Sequence, residues 1–197
     1  YRGARYLTGR WPHAGVDFTG QRVGIIGTGS SSIQASPLIA RQAEHLTVFQ
    51  RTPQFAIPAW NRALTDEEMR HVQETYEDIR RLVRQSEVGV AYESPDHGAK
   101  EASPEALRQQ LEFAWARGGY LMLAAYPDVV TDLASNRLVS DWVKEKIRAR
   151  IKDPAIARKL MPEYPMGAKR LCVDTDYYEI FNRDNVSLVE DFVVVRV

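Results

Sequence analysis

Arg22-Val-Gly-Ile-Ile-Gly-Thr-Gly-Ser-Ser-Ser-Ile-Gln34 is the stretch on which the fold turns. Its opening, Arg22–Ile26, is an apolar run rich in β-branched residues that stops at Gly27, the pattern of a buried parallel strand. Beyond the glycines, Ser30–Ala43 has helical composition, with Ile33, Leu38 and Ile39 as apolar contacts, and Leu46–Gln50 reads as a second strand. Strand, glycine turn, helix and strand in that order form a βαβ unit. Pro37 lies inside the helix, where it removes one ladder donor and crowds the carbonyl four residues back, so a kink is expected there.

The turn Gly27-Thr28-Gly29-Ser30-Ser31-Ser32 has the chemistry of a phosphate cradle. The first glycine permits the tight turn, and the second lets backbone approach a pyrophosphate. The third position serves only helix–strand packing, for which Ser32 is small enough. Backbone N–H groups of Thr28 to Ser31, at a helix N-terminus, would then hold the negative charge. A bare glycine turn without a ligand would look the same locally. The end of the second strand separates the dinucleotides, because NAD and FAD sites usually place an acid there for the ribose hydroxyls. This chain has Gln50-Arg51-Thr52. Arg51 follows Gly29 by 22 residues, and its rigid fork of donors matches a 2′-phosphate, with the Thr52 hydroxyl as a further donor. The residues read as an NADP site rather than one for NAD or FAD.

Further along, the pattern becomes helical. Thr65 and Glu68 are spaced as a capping box, and Met69, Val72, Tyr76, Ile79 and Val83 step along one face of a single predicted amphipathic helix. A second helix begins at Ser103-Pro104 and ends at Gly118-Gly119, a third covers about Ser135–Ile151, and a short one starts at Asp153-Pro154. Asn185–Glu190 and Phe192–Val197 look like closing strands. The expected fold is α/β: a Rossmann-like dinucleotide-binding domain, a parallel sheet with flanking helices, carrying a mainly helical insertion. The expected divisions are a linker at 1–20, the core at 21–61 and 161–197, and the insertion at 62–160.

Composition narrows the function classes. Lys plus Arg equals Asp plus Glu at 26 each, and 44% of residues are hydrophobic. A sequence pI near 7.1 gives no electrostatic case for nucleic acid or a membrane surface as partner. The single Cys172 excludes an internal disulfide, and His45, His71 and His97 stand at no metal-ligand spacing, so no metal site is expected. With no apolar run near the roughly 20 residues of a membrane span and no leader pattern, a cytoplasmic setting is expected. A start at Tyr1 rather than Met reads as part of a longer protein.

Phe18-Thr-Gly-Gln-Arg-Val-Gly-Ile-Ile-Gly-Thr-Gly-Ser-Ser-Ser-Ile-Gln34 and Phe49-Gln-Arg-Thr-Pro53 closely resemble the NADPH-domain core of Baeyer–Villiger monooxygenases. Pro165-Met-Gly-Ala-Lys-Arg170 and Asp176–Val186 are similar to segments that follow the helical insertion in that family. The family's linker fingerprint, FxGxxxHxxxWP, falls on Tyr1, Gly3, Leu7, Trp11 and Pro12, with Tyr in place of Phe and Leu7 in place of the histidine. The resemblance implies NADPH as hydride donor and FAD as redox centre, with FAD in a domain of the same full-length chain and not on this part. It implies insertion of one oxygen of O2 beside a small-molecule ketone carbonyl, giving an ester or lactone. Arg170 matches the family's catalytic arginine, which stabilises negative charge at the flavin, a role suited to an always-protonated guanidinium. Lys169 matches the lysine that joins Arg51 at the 2′-phosphate, and the matching stretch brings Gln34 into the cofactor-binding set. By the residues alone, Lys169-Arg170 would be a solvated basic pair, and Asp176, Tyr177 and Tyr178 a packing group rather than an acid–base set. Two alternatives stay open: a flavin monooxygenase that oxidises nitrogen or sulfur, and a non-catalytic NADP-binding module.

Overall fold

The computed structural model describes residues 2–86, 89, 91, 92 and 94–193. They divide into two compact units, one of 1–54, 147–161 and 176–197, the other of 55–146 and 162–175. The expected boundaries at 61/62 and 160/161 group these segments differently. They place two short strands, Ala56–Pro58 and Cys172–Asp174, with the Rossmann core, whereas these strands pair inside the second unit.

In the first unit, β1 (Arg22–Ile26), α1 (Ser30–Gln42) and β2 (His45–Phe49) form the βαβ motif, and β5 (Val186–Val189) completes a parallel sheet of order β1-β2-β5. Register runs Arg22↔His45 to Ile26↔Phe49, and Leu46↔Val186 to Phe49↔Val189. Leu46 and Val48 on the central strand are fully buried, as are Ile33 and Ala40 of the helix that covers them. β1 departs from the expected buried strand: among the described residues it pairs on one side only, with alternating exposure, and Ile26 is 62% exposed. α1 continues on both sides of Pro37, which is buried. Its C-terminal carbonyls find a long-range partner, because Asn185 Nδ2 donates to Ala40 O and Ala43 O at 3.0 Å each. The expected strand Phe192–Val197 lies, from 194 on, outside the described residues; Phe192 itself is not in a strand and packs edge-to-face on Phe49 at 5.3 Å.

The second unit holds a two-stranded parallel sheet, β3 (Ala56–Pro58) with β4 (Cys172–Asp174), and most of the helices. α4 (Pro104–Arg117) starts as expected, with Pro104 in its first turn and the Ser103 hydroxyl accepting from Ala106 N. It ends at Gly118, whose φ of +74° and distance of 2.3 Å from an added Cβ to Pro58 O leave room for no side chain. α5 (Leu133–Ala149) buries Val139 and Val143, and α6 (Pro154–Lys159) follows it in the first unit.

The single helix expected from Thr65 is instead two, α2 (Asp66–Glu74) and α3 (Tyr76–Gln85). The capping box of Thr65 and Glu68 is present. The break falls at Thr75, whose hydroxyl donates to His71 O at 2.7 Å while its backbone sits at φ −104°, ψ 13°. A hydroxyl bonded to the carbonyl four residues back competes with continued helix. Met69, Val72, Tyr76 and Val83, spaced for a buried face, are all exposed.

Candidate dinucleotide site

The glycine loop follows β1 in the first unit. Gly27 N donates to Phe49 O at 2.8 Å, so the turn begins as the last rung of the sheet, and its φ of +97° is the left-handed conformation that favours glycine. Gly29 is the N-cap of α1 and offers no side chain to the first-turn N–H groups. An added Cβ at Gly27 or Gly29 would meet nothing within 4 Å, so the backbone faces open space. A helix N-terminus without a side-chain cap, reached by bare glycine backbone, is suited to an anion. Ser31 and Gln34 are exposed and Ser30 is half-buried. Ser32 is buried, and its hydroxyl has no hydrogen-bond partner, so it occupies a packing position as the third glycine would.

The strand end beside this loop is held firmly. Thr28 Oγ1 donates to Thr52 O at 2.7 Å, tying the glycine loop to the segment after β2. Gln50, only 1% exposed, donates from its backbone to Val189 O at 2.8 Å and from Nε2 to Lys159 O at 2.7 Å and Glu190 Oε1 at 3.1 Å. Lys159 Nζ lies 3.6 Å from Glu190 Oε2, so the carboxylate that directly follows β5 is already engaged by a donor and a cation. Arg51, next in the chain, is exposed and makes no ion pair or hydrogen bond among the described residues. A guanidinium presented in that way remains able to grip a phosphate with two parallel bonds. Sequence reasoning missed Gln50 as a support, because its partners lie at 159 and 190.

Lys169 and Arg170 lie in the second unit, on the loop before β4. That loop is built around Met166, which is 1% exposed. Met166 N donates to Asn136 Oδ1 at 3.1 Å and Ser140 Oγ at 3.3 Å, while Asn136 Nδ2 donates to Met166 O and Val129 O, both at 2.8 Å. Gly167 turns the chain at φ +92°, and Ala168 N closes the turn on Pro165 O at 3.0 Å. Lys169 Nζ sits 4.7 Å from the centroid of the Tyr164 ring, and Arg170 is exposed. Burial pushes the Tyr164 hydroxyl up to about 12, so the ring stays neutral throughout the physiological range.

The other sequence candidates fall into supporting places. Tyr178 is buried, with its hydroxyl donating to Gln54 O at 2.9 Å, and Tyr177 packs against it and against Phe181. Asp176, at φ +63°, pairs with Arg41 at 3.0 Å on the surface. In the linker, Tyr6, Trp11 and Phe18 form an aromatic cluster with centroids 5.8 to 6.3 Å apart, and Leu7 is 63% exposed. Tyr1 lies outside the described residues. Among the described residues, no helix is long and apolar enough to cross a membrane, and no three His, Cys, Asp or Glu side chains are grouped to hold a metal.

No protein-family model matches the chain. A Baeyer–Villiger monooxygenase of Pseudooceanicola batsensis is 40% identical over 192 residues, 96% of this chain and 35% of that protein. A phenazine N-monooxygenase of Lysobacter antibioticus is 37% identical over 96% of this chain and 35% of its own length. Among solved structures, an oxidised steroid monooxygenase bound to NADP superposes with a TM-score of 0.89 at 48% identity, covering 92% of this chain and 35% of that one. A structure of OTEMO in complex with FAD and NADP reaches 0.90 at 37% identity, covering 96% of this chain and 37% of that one. The chain thus spans about a third of the length of the curated relatives it matches. Over nearly its whole length it is a homologue of a segment of the Baeyer–Villiger monooxygenases, and it shares that segment's α/β fold.

Proposed function

We propose that this chain is the NADPH-binding portion of a flavin-dependent Baeyer–Villiger monooxygenase. The observation that carries the reading is an uncapped α1 N-terminus reached by glycine backbone, with an unengaged arginine, not an acid, at the end of the neighbouring strand. NADP and FAD in related structures support the cofactor set. FAD, held outside this chain, supplies the redox chemistry with oxygen. The chain's own part is to bind and orient the nicotinamide cofactor. Backbone N–H groups of Thr28 to Ser31 hold the pyrophosphate, with Gln34 at the rim. Arg51 and Thr52, in the first unit, supply donors for the 2′-phosphate, while Lys169 and Arg170, in the second, take the roles that family likeness suggests, a cation for the nucleotide and fixed positive charge for the flavin. The substrate proposed for the whole protein is a small-molecule ketone, converted to an ester or lactone.

Equilibrium titration of the chain with NADPH and NADH tests this: NADPH binds at least about tenfold more tightly if the guanidinium at the end of β2 meets its extra phosphate. Equal affinities would overturn the reading. The phenazine N-monooxygenase among the relatives favours a second reading, oxidation of a nitrogen centre with the same two cofactors. Product analysis of the longer protein with ketones and with ring-nitrogen heteroaromatics separates the two.

A further inference from the structure

A phosphate monoester carries nearly two negative charges at neutral pH, so a single guanidinium leaves part of that charge unmet. Within the first unit a second cation stands at the same strand end. Lys159 is the last residue of α6, and Gln50 fastens it to the end of β2: Gln50 Nε2 donates to Lys159 O at 2.7 Å, and Arg51 is the next residue of the chain. Phe49 is in register with Val189, so Glu190 follows β5 alongside Gln50 and accepts from the same Nε2 at 3.1 Å. The Lys159 ammonium lies 3.6 Å from the other oxygen of that carboxylate. One buried amide thus gathers the strand end, a helix end and a carboxylate, all in the first unit.

The ion pair itself is loose. At 3.6 Å it is longer than a hydrogen bond, and the Lys159 side chain is 44% exposed. A half-exposed pair of this kind contributes little and is readily exchanged. Glu190 offers one charge and already accepts from Gln50, whereas a 2′-phosphate offers nearly two charges and three oxygens. Lysine suits an exchange of partners, with a flexible stem and three donors that turn freely. We propose that Lys159 is a specificity-determining cation for the 2′-phosphate, resting on Glu190 in the free protein and reaching the phosphate beside Arg51 when NADPH binds. The proposal rests on the NADPH reading above.

The test is the ratio of NADP+ to NAD+ affinity, measured by calorimetry on the full chain and on Lys159→Met, Lys159→Arg, Glu190→Gln and Arg158→Gln. Lys159→Met should weaken NADP+ by about two- to fivefold and leave NAD+ unchanged, while Lys159→Arg keeps most of the preference. Glu190→Gln retains an acceptor for Gln50 and removes the competing charge, so its ratio should rise. Arg158 is exposed one residue away, and Arg158→Gln should leave the ratio near that of wild type. A ratio in Lys159→Met equal to or above that of wild type overturns the proposal. So does an equal loss for both nucleotides, which is the mark of a structural role, or a ratio that Glu190→Gln leaves level or lowers. A fall in Arg158→Gln as large as that in Lys159→Met also overturns it, because any nearby positive charge would then serve. A wild type with no preference overturns the NADPH reading itself, which distinguishes the two failures.

Discussion

The glycine loop at 27–32 and the lysine–arginine loop at 162–170 hold their proposed binding groups by opposite means. The first is made by its own sequence: a left-handed glycine, a glycine N-cap and the start of a helix, with nearly every determinant inside Arg22–Gln34. The second has no regular structure of its own and takes its shape from Asn136, 30 residues away, whose amide bonds both the N–H and the C=O of Met166. Local sites are set by backbone conformation, whereas borrowed ones depend on a distant side chain, so the two should respond very differently to substitution.

Breaking the borrowed clamp should give the largest effect. Asn136→Leu leaves the Met166 and Val129 carbonyls without their partner in a buried place, and the Met166 N–H with only its longer bond to Ser140 Oγ. At roughly 1–3 kcal/mol for each unsatisfied group, partly relieved by relaxation, the loss should be about 3 kcal/mol in chemical denaturation. The corresponding change in the self-made loop should be small. Ser32→Ala removes a buried hydroxyl that bonds nothing, so stability should stay within about 0.5 kcal/mol of wild type and dinucleotide affinity should not change. A large loss from Ser32→Ala, or none from Asn136→Leu, would erase the contrast.

The same contrast explains what the sequence could show. The βαβ unit, the cap at Thr65, the proline start of α4 and the arginine at 51 each lie in a window of a few residues, where spacing and residue type carry the physics. β3 and β4, at three residues each, are too short to display a period, and their pairing of Ala56 with Cys172 spans the chain. That is why the observed units divide differently from the expected insertion. Periodicity named the apolar face of α2 and α3 but could not say whether anything covers it. The exposure of β1 was hidden for a related reason, because an apolar run does not reveal whether a strand is central or at an edge. The roles proposed for Lys169 and Arg170 come from family likeness alone; without it they are two basic residues on a loop.

The claim on which the rest depends is that the end of β2 recognises a 2′-phosphate. Calorimetric titration of 2′,5′-ADP and 5′-AMP into wild type and Arg51→Ala tests it without involving the nicotinamide or a flavin. The wild-type chain should bind 2′,5′-ADP at least about tenfold more tightly than 5′-AMP, and Arg51→Ala should lose most of that advantage while 5′-AMP binding stays the same. Equal affinity of the wild type for the two nucleotides, or an advantage that survives Arg51→Ala undiminished, would contradict it.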